Sequence, residues 1–262
     1  NGTINDLAVG GARPVAIAAA FVLEEGLDAS ILRREVETMA SAARRAGVRV
    51  VTGDTKVVER GKADGMYIVT TGIGVRHTSF TPDTGSVRPG DKIVCSGAIG
   101  AHGTAIMLAR GELELDADVV SDTAPLWLLA RAVMDAAGDG LRVMRDPTRG
   151  GLATVLNEIA ADAGIGAIVE EDAIPVLPAV RGACEILGID PMYVANEGKL
   201  VAVADPSRTE DVLSAMKEAG EVEAAIIGEI AEDPPGMVLV KTGFGGTRIM
   251  DMMIGDPLPR IC

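Results

Sequence analysis

The sequence predicts a mixed α/β, or α+β, chain, and three observations lead there. Short β-branched runs alternate with longer segments whose apolar residues recur at helical spacing. The 32 glycines are gathered in short clusters between those segments, where turns and phosphate-holding loops form. Apolar residues make up 48% of the chain but aromatics only 2%, so the core must be built from Val, Ile, Leu, Ala and Met.

Taken in order, 15–25 reads as a helix. A longer one follows at 28–46, where Ile31, Val36, Met39 and Ala43 keep helical spacing and Gly47 supplies the stop. A β-branched strand at 48–52 runs into a turn at Gly53-Asp54, and 66–73 alternates as a strand. Pro, Gly, Ser and Thr crowd 82–89, which marks a boundary between a first domain over 1–87 and a second over 88–250. The length of 262 residues suits two modest domains. In the second, strands are expected at 91–96, 141–144, 167–169, 199–204, 224–229 and 237–240. Helices fall after the glycine-rich stretch 97–103 and at 123–137, 148–163, 177–187 and 208–219. From Asp251 to Cys262 the chain reads as a flexible tail, stiffened at DPLPRIC by two prolines and able to reach roughly 40 Å when extended.

The formal net charge is -14 and no basic run is present, which argues against a nucleic-acid partner. A small anionic ligand stays open, because backbone amides and a bound metal can hold one locally. The longest apolar stretch, 14–23, is too short to cross a bilayer, and no signal peptide precedes it. Three cysteines without a secretory signal point to reduced thiols in a cytoplasmic protein. Cys95 and Cys184 lie in apolar contexts and read as core side chains. The first residue is Asn1 rather than Met, within what reads as an ordered element, so the natural N-terminus is expected to lie upstream.

Five segments could carry chemistry. In GDTKVVE, Asp54 and Lys56 stand at the expected carboxyl end of a strand, where Asp54 could bind Mg²⁺ and Lys56 could face a phosphate or a reacting amide; an ordinary Lys-Glu surface turn is the alternative. SGAIGAHGTAIM is neither a Walker loop nor a Rossmann fingerprint, but its glycines permit close backbone approach and a helix start with free amides. His102 within it reads as a polar loop residue, and His77 has no cluster around it. In RDPTRGGLATVLNEIA, Thr148 either caps a helix beginning near Gly150 or lies with Asp146 near a nucleotide. Glu197 in NEGKL reads as an acidic loop residue. Cys262, the last residue, is either a disordered thiol, half of an intermolecular disulfide, or a carried reactive group at the tip of a stiffened tail.

Together, NDLAVGGARP, VTGDTKVVE, SGAIGAHGTAIM, RDPTRGGLATVLNEIA, ANEGKL and the terminal LPRIC resemble the PurM-like superfamily, related to aminoimidazole ribonucleotide synthetase, and within it the HypE hydrogenase-maturation family. These segments span nearly the whole chain in the family's order, and the terminal PRIC separates HypE from its relatives. The resemblance implies a two-domain PurM-like fold, with an N-terminal domain that pairs with its copy as a β-barrel homodimer and a mixed α/β C-terminal domain. ATP would lie in the cleft between domains. Asp6 and Asp54 match positions for Mg²⁺ and phosphates. Thr55, Gly97, Gly100, Gly103, Asp146 and Thr148 match the nucleotide site, with a structural part equally open for the glycines. Lys56 and Glu197 match positions near the reacting Cys262.

The implied activity is ATP-dependent dehydration of a carbamoyl group on Cys262 to a thiocyanate, the source of a cyanide ligand for the iron of a [NiFe]-hydrogenase. A HypF-like carbamoyltransferase would load the thiol and a HypC-HypD complex would receive the cyanide; neither nucleic acid nor membrane is implied. Two departures stand out. The family's additional N-terminal segment, with a further acidic contact, is missing, and Ala98 and Ala101 replace an expected Pro and Asp. The alternatives are another PurM-like ATP enzyme acting on a free small molecule, and a non-catalytic nucleotide-binding scaffold.

Overall fold

A computed structural model describes residues 1–77, 80–111 and 118–252. The first helix, α1 (Gly2–Val9), leads into the long strand β1 (Ala12–Glu24). Helix α2 (Ala29–Arg45) connects it to β2 (Arg49–Val58), and β3 (Met66–Arg76) follows. These strands form a three-stranded sheet ordered β2-β1-β3, with β1 parallel to β2 and antiparallel to β3.

The expected helix at 15–25 is therefore the central strand of this sheet. Its run VAIAAAFVLEE is apolar at nearly every position through Leu23, so a helical stripe and a buried strand cannot be told apart by period. Backbone pairing along both edges decides the matter. The expected turn at Gly53-Asp54 is also absent, because β2 continues through it to Val58. Gly53 is opposite Ala19, and a Cβ there would run into the Ala19 carbonyl oxygen. The glycine thus marks close backbone approach rather than a turn. Helix α2 forms as expected, its first turn held by the Asp28 carboxylate, which accepts the Ser30 N–H at 2.7 Å.

The remaining strands, β4 (Lys92–Cys95), β5 (Leu141–Arg145), β6 (Gly166–Glu170), β7 (Val201–Ala204), β8 (Ala225–Ala231), β9 (Val238–Lys241) and β10 (Thr247–Ile249), make a seven-stranded sheet ordered β10-β9-β6-β8-β4-β7-β5. Among the described residues only β6 and β9 pair in parallel within it. The interleaved helices are α3 (Ala101–Ala109), α4 (Trp127–Ala137), α5 (Gly151–Ala163), α6 (Pro178–Leu187) and α7 (Thr209–Glu218). α5 covers one face through Leu152, Leu156 and Ile159 against Ile93, Val203 and Val240. α4 and α7 cover the other, with Val133 and Met216 against Val94 and Ala202. Cys95 and Cys184 are buried, as their apolar contexts suggested.

α1 and β10 fall outside the predicted elements. α1 joins the two halves of the chain, with Thr3 and Leu7 against Gly72 of β3 and Ala8 and Val9 in the core beneath α4. Buried Met250 fixes the chain just beyond β10, where the Asn157 side chain donates to its carbonyl at 2.8 Å. Cys262 and most of the expected tail lie outside the described residues. Among the described residues no helix is long and apolar enough to cross a membrane.

Candidate functional site

The chemistry-bearing loops converge because two fully buried asparagines tie them together. Asn196 accepts the Gly100 N–H at 2.7 Å and donates through its amide to the carbonyls of Pro147 at 2.9 Å and Val194 at 3.0 Å. It thereby joins the SGAIG, RDPT and ANEGK segments. Asn5 of α1 donates to the carbonyls of Ala124 and Glu197 at 3.0 and 2.9 Å and accepts the Leu126 N–H at 2.9 Å. Buried amides with every bond made are worth far more than exposed ones, because any lost partner leaves a desolvated group behind.

Between these knots lies a cavity of about 380 Å³ with Asp6, Gly10, Pro82, Thr84, Asp146 and Thr148 in its wall. Asp146 is buried and its Oδ2 makes no hydrogen bond among the described residues. Burial pushes its carboxyl up to about 6, assisted by the like charges of Asp6 and Glu197. Burial also raises the Glu197 carboxyl, and the like charges of Asp122 and Asp6 add to it. Crowded carboxylates of this kind suit a hard divalent cation, whose charge would reverse the shift. Among the described residues no three His, Cys, Asp or Glu side chains are grouped to hold an ion by themselves. A Mg²⁺ at Asp6 and Asp146 would thus complete its shell with phosphate and water, the usual pattern for that ion.

The other expected site residues are placed differently. Asp54, Thr55 and Lys56 lie in the exposed strand β2 and do not line this cavity. Asp54 is paired across the sheet with Ala20, which is opposite Val69, whereas the α1-facing side of β3 carries Thr70 and Gly72. Alternation therefore turns Asp54 and Lys56 away from α1 and from Asp6. The expected Asp6–Asp54 metal pair is not formed within one chain, for that reason. Asp54 and Lys56 instead form an ion pair at 3.2 Å, with side chains 66% and 71% exposed, and Asp54 also accepts the Thr55 N–H at 2.8 Å. Lys56 holds the Asp54 carboxyl below its ordinary value, with help from that amide.

Gly97, Gly100 and Gly103 are buried and serve the scaffold. The Gly100 amide is committed to Asn196 and the Gly103 amide to the Ala195 carbonyl at 3.0 Å, so neither is free for a phosphate. At Gly97 a Cβ would crowd the Glu221 carboxylate at 3.1 Å. Thr148 does not cap α5, whose N-cap is Gly150 with no side-chain hydrogen bond; Thr148 lines the cavity instead. Gly151 adopts a positive φ of 61° where a Cβ would lie 2.6 Å from the Val194 carbonyl oxygen. His102 belongs to α3 and pairs with the Ser121 hydroxyl at 2.8 Å. The residues missed in the sequence are Asn5, Asp122 and Asn196. Asp122 accepts the Glu197 N–H at 3.1 Å, and the only sequence hint was its place just before an expected helix.

Residues 1–76 match the N-terminal domain, and residues 88–241 the C-terminal domain, of the AIR synthase related proteins. The chain is 53% identical to the carbamoyl dehydratase HypE of Cupriavidus necator, aligning over its whole length and covering 75% of that protein. It resembles a crystal structure of hydrogenase maturation protein HypE in complex with ATP at a TM-score of 0.94 and 46% identity, covering all of this chain and 79% of that one. A HypE–HypF complex gives a TM-score of 0.92 at 43% identity, covering 96% of this chain and 82% of the other. With both sheets, the linking helix and the carboxylate cavity inside these matches, the chain belongs to the HypE family of carbamoyl dehydratases within the AIR synthase related, PurM-like proteins.

Proposed function

We propose that this chain uses ATP to dehydrate a carbamoyl group carried on its own Cys262, leaving a thiocyanate that supplies cyanide to the iron of a [NiFe]-hydrogenase. The observation that carries this reading is the 53% identity to a carbamoyl dehydratase along the entire chain. The ATP complex of a close structural relative supports the nucleotide. The relative seen with HypF supports a HypF-like carbamoyltransferase as the loading partner. A HypC-HypD complex would accept the cyanide, in the cytoplasm.

In this reading the domains are 1–87 and 88–250, followed by a tail that carries Cys262 into the cleft. The carboxamide oxygen bonds to the γ-phosphorus of ATP as ADP departs. Two protons then leave the nitrogen, the first as the oxygen is phosphorylated and the second as that oxygen departs with the phosphate, so the carbon ends triply bonded to nitrogen. Asp6, Asp146 and Thr148 bind on the phosphate side. Glu197 accepts the second of these protons, a role its raised carboxyl suits because a more basic carboxylate is a better acceptor near neutrality. Mg²⁺, when bound, would spread the phosphate charge.

Only across a homodimer does Lys56 position the carboxamide and do Asp54 and Thr55 reach nucleotide. The open face of β2 and β3, with Tyr67, Val69, Ile73 and Val75 exposed, is where the second copy would pack. The discriminating test is Cys262→Ala. It should abolish carbamoyl-dependent ATP consumption with the carbamoyltransferase present. Retained consumption with a free small molecule would replace this reading by a metabolic PurM-like enzyme.

A further inference from the structure

The geometry around Glu197 points to a further residue for this reaction: we propose that Asp122 is a positioning residue, which clamps the Glu197 backbone so that its carboxylate stays close to Asp6 and Asp146. The inference rests on the proposed reaction and on Glu197 as its proton acceptor.

Every backbone group of Glu197 is held from outside its own segment. Its N–H donates to Asp122 Oδ1 at 3.1 Å. Its carbonyl accepts the Asn5 amide at 2.9 Å and the Ala124 N–H at 3.5 Å. The next residue, Gly198, is pressed so closely on the Asp122 carbonyl oxygen that a Cβ would clash with it. The 121–124 segment thus grips Glu197 from both sides.

That segment is itself fastened at two points. The Ser121 hydroxyl oxygen accepts the Thr123 N–H at 3.2 Å, which leaves its hydrogen for His102 Nδ1 at 2.8 Å. The Thr123 hydroxyl accepts the Asn1 side-chain amide at 3.1 Å. Among the described residues no hydrogen bond or ion pair holds the Glu197 carboxylate, so its place is set by the backbone beneath it. Asp122 Oδ2 is buried and makes no hydrogen bond among the described residues, although orphaned buried oxygens are costly. A carboxylate kept there at that cost, on the residue gripping Glu197, is accounted for by the grip.

The test is single-turnover dehydration: chain carbamoylated at Cys262 is mixed with Mg²⁺-ATP and loss of one water is followed by intact mass. Asp122→Ala should slow this step about 10- to 100-fold, the scale of a misplaced catalytic group, with ATP affinity by calorimetry unchanged. Asp122→Asn keeps an oxygen facing the Glu197 N–H and should recover most of the rate. In a Glu197→Gln background, Asp122→Ala should add little, since both changes remove one function. An unchanged rate in Asp122→Ala, no recovery in Asp122→Asn, or full additivity with Glu197→Gln would overturn the inference. A Glu197→Gln chain as fast as the unmodified one would instead strike the parent assignment of the proton acceptor.

Discussion

The two sheets of this chain use similar strands in opposite ways. In the seven-stranded sheet, β4 and β7 are covered on both faces, by α5 on one side and by α4 and α7 on the other. In the three-stranded sheet, β2 is exposed almost throughout, and Val69, Ile73 and Val75 of β3 are more than half exposed. The first is a finished core. The second is an open apolar face, of the kind that marks an interface. The difference also sorts the chemistry: the buried sheet supports fixed loops that meet at Asn196, whereas the open one carries Asp54 and Lys56 on its surface.

The sharpest way to break this comparison is to remove volume from the finished core. Leu156→Ala, at a fully buried position, should lower stability by about 3 kcal/mol in urea unfolding. Asn196→Ala should cost about 2 kcal/mol, by leaving the Gly100 amide and Pro147 carbonyl without their partner. Ile73→Lys, on the open face, should leave urea stability of the monomer nearly unchanged yet split the proposed homodimer in sedimentation. If Ile73→Lys unfolds the chain, or leaves an unaltered dimer, the open face is not the interface.

The carboxylates give a smaller and pH-dependent contrast. Asp146 has its carboxyl raised to about 6 in the fold, from 3.8. The folded state therefore favours the protonated form, and its stability is lost as pH rises from about 4 through 6. Asp146→Asn should remove that loss, stabilising the apo chain on the order of 2 kcal/mol above pH 6, with the gain shrinking as pH falls toward 4. The same change should weaken Mg²⁺-ATP binding. Asp54→Asn, on the exposed strand, should leave the melting temperature where it was at both pH values.

Much of the buried sheet could be read in the sequence, because its strands are short β-branched runs set off by glycines, with helices of clear period between them. The open sheet was harder to read. The 15–25 run has too many apolar neighbours to show a period, and Gly53 looks like a turn until the Ala19 carbonyl is seen beside it. Of the candidate site, Asp6, Asp146, Thr148 and Glu197 were anticipated by resemblance and do gather near one cavity. What holds them there was invisible. Asn5 reaches a carbonyl 192 residues away and Asp122 an amide 75 residues away, and no local pattern encodes such bonds.

The most direct test of the central claim is intact-protein mass spectrometry of a full-length chain incubated with the carbamoyltransferase, carbamoyl phosphate and Mg²⁺-ATP. The account predicts a carbamoyl adduct on Cys262 that loses one water only when ATP is present. A Cys262 that stays unmodified while ATP is consumed, or an adduct that never loses water, would contradict it.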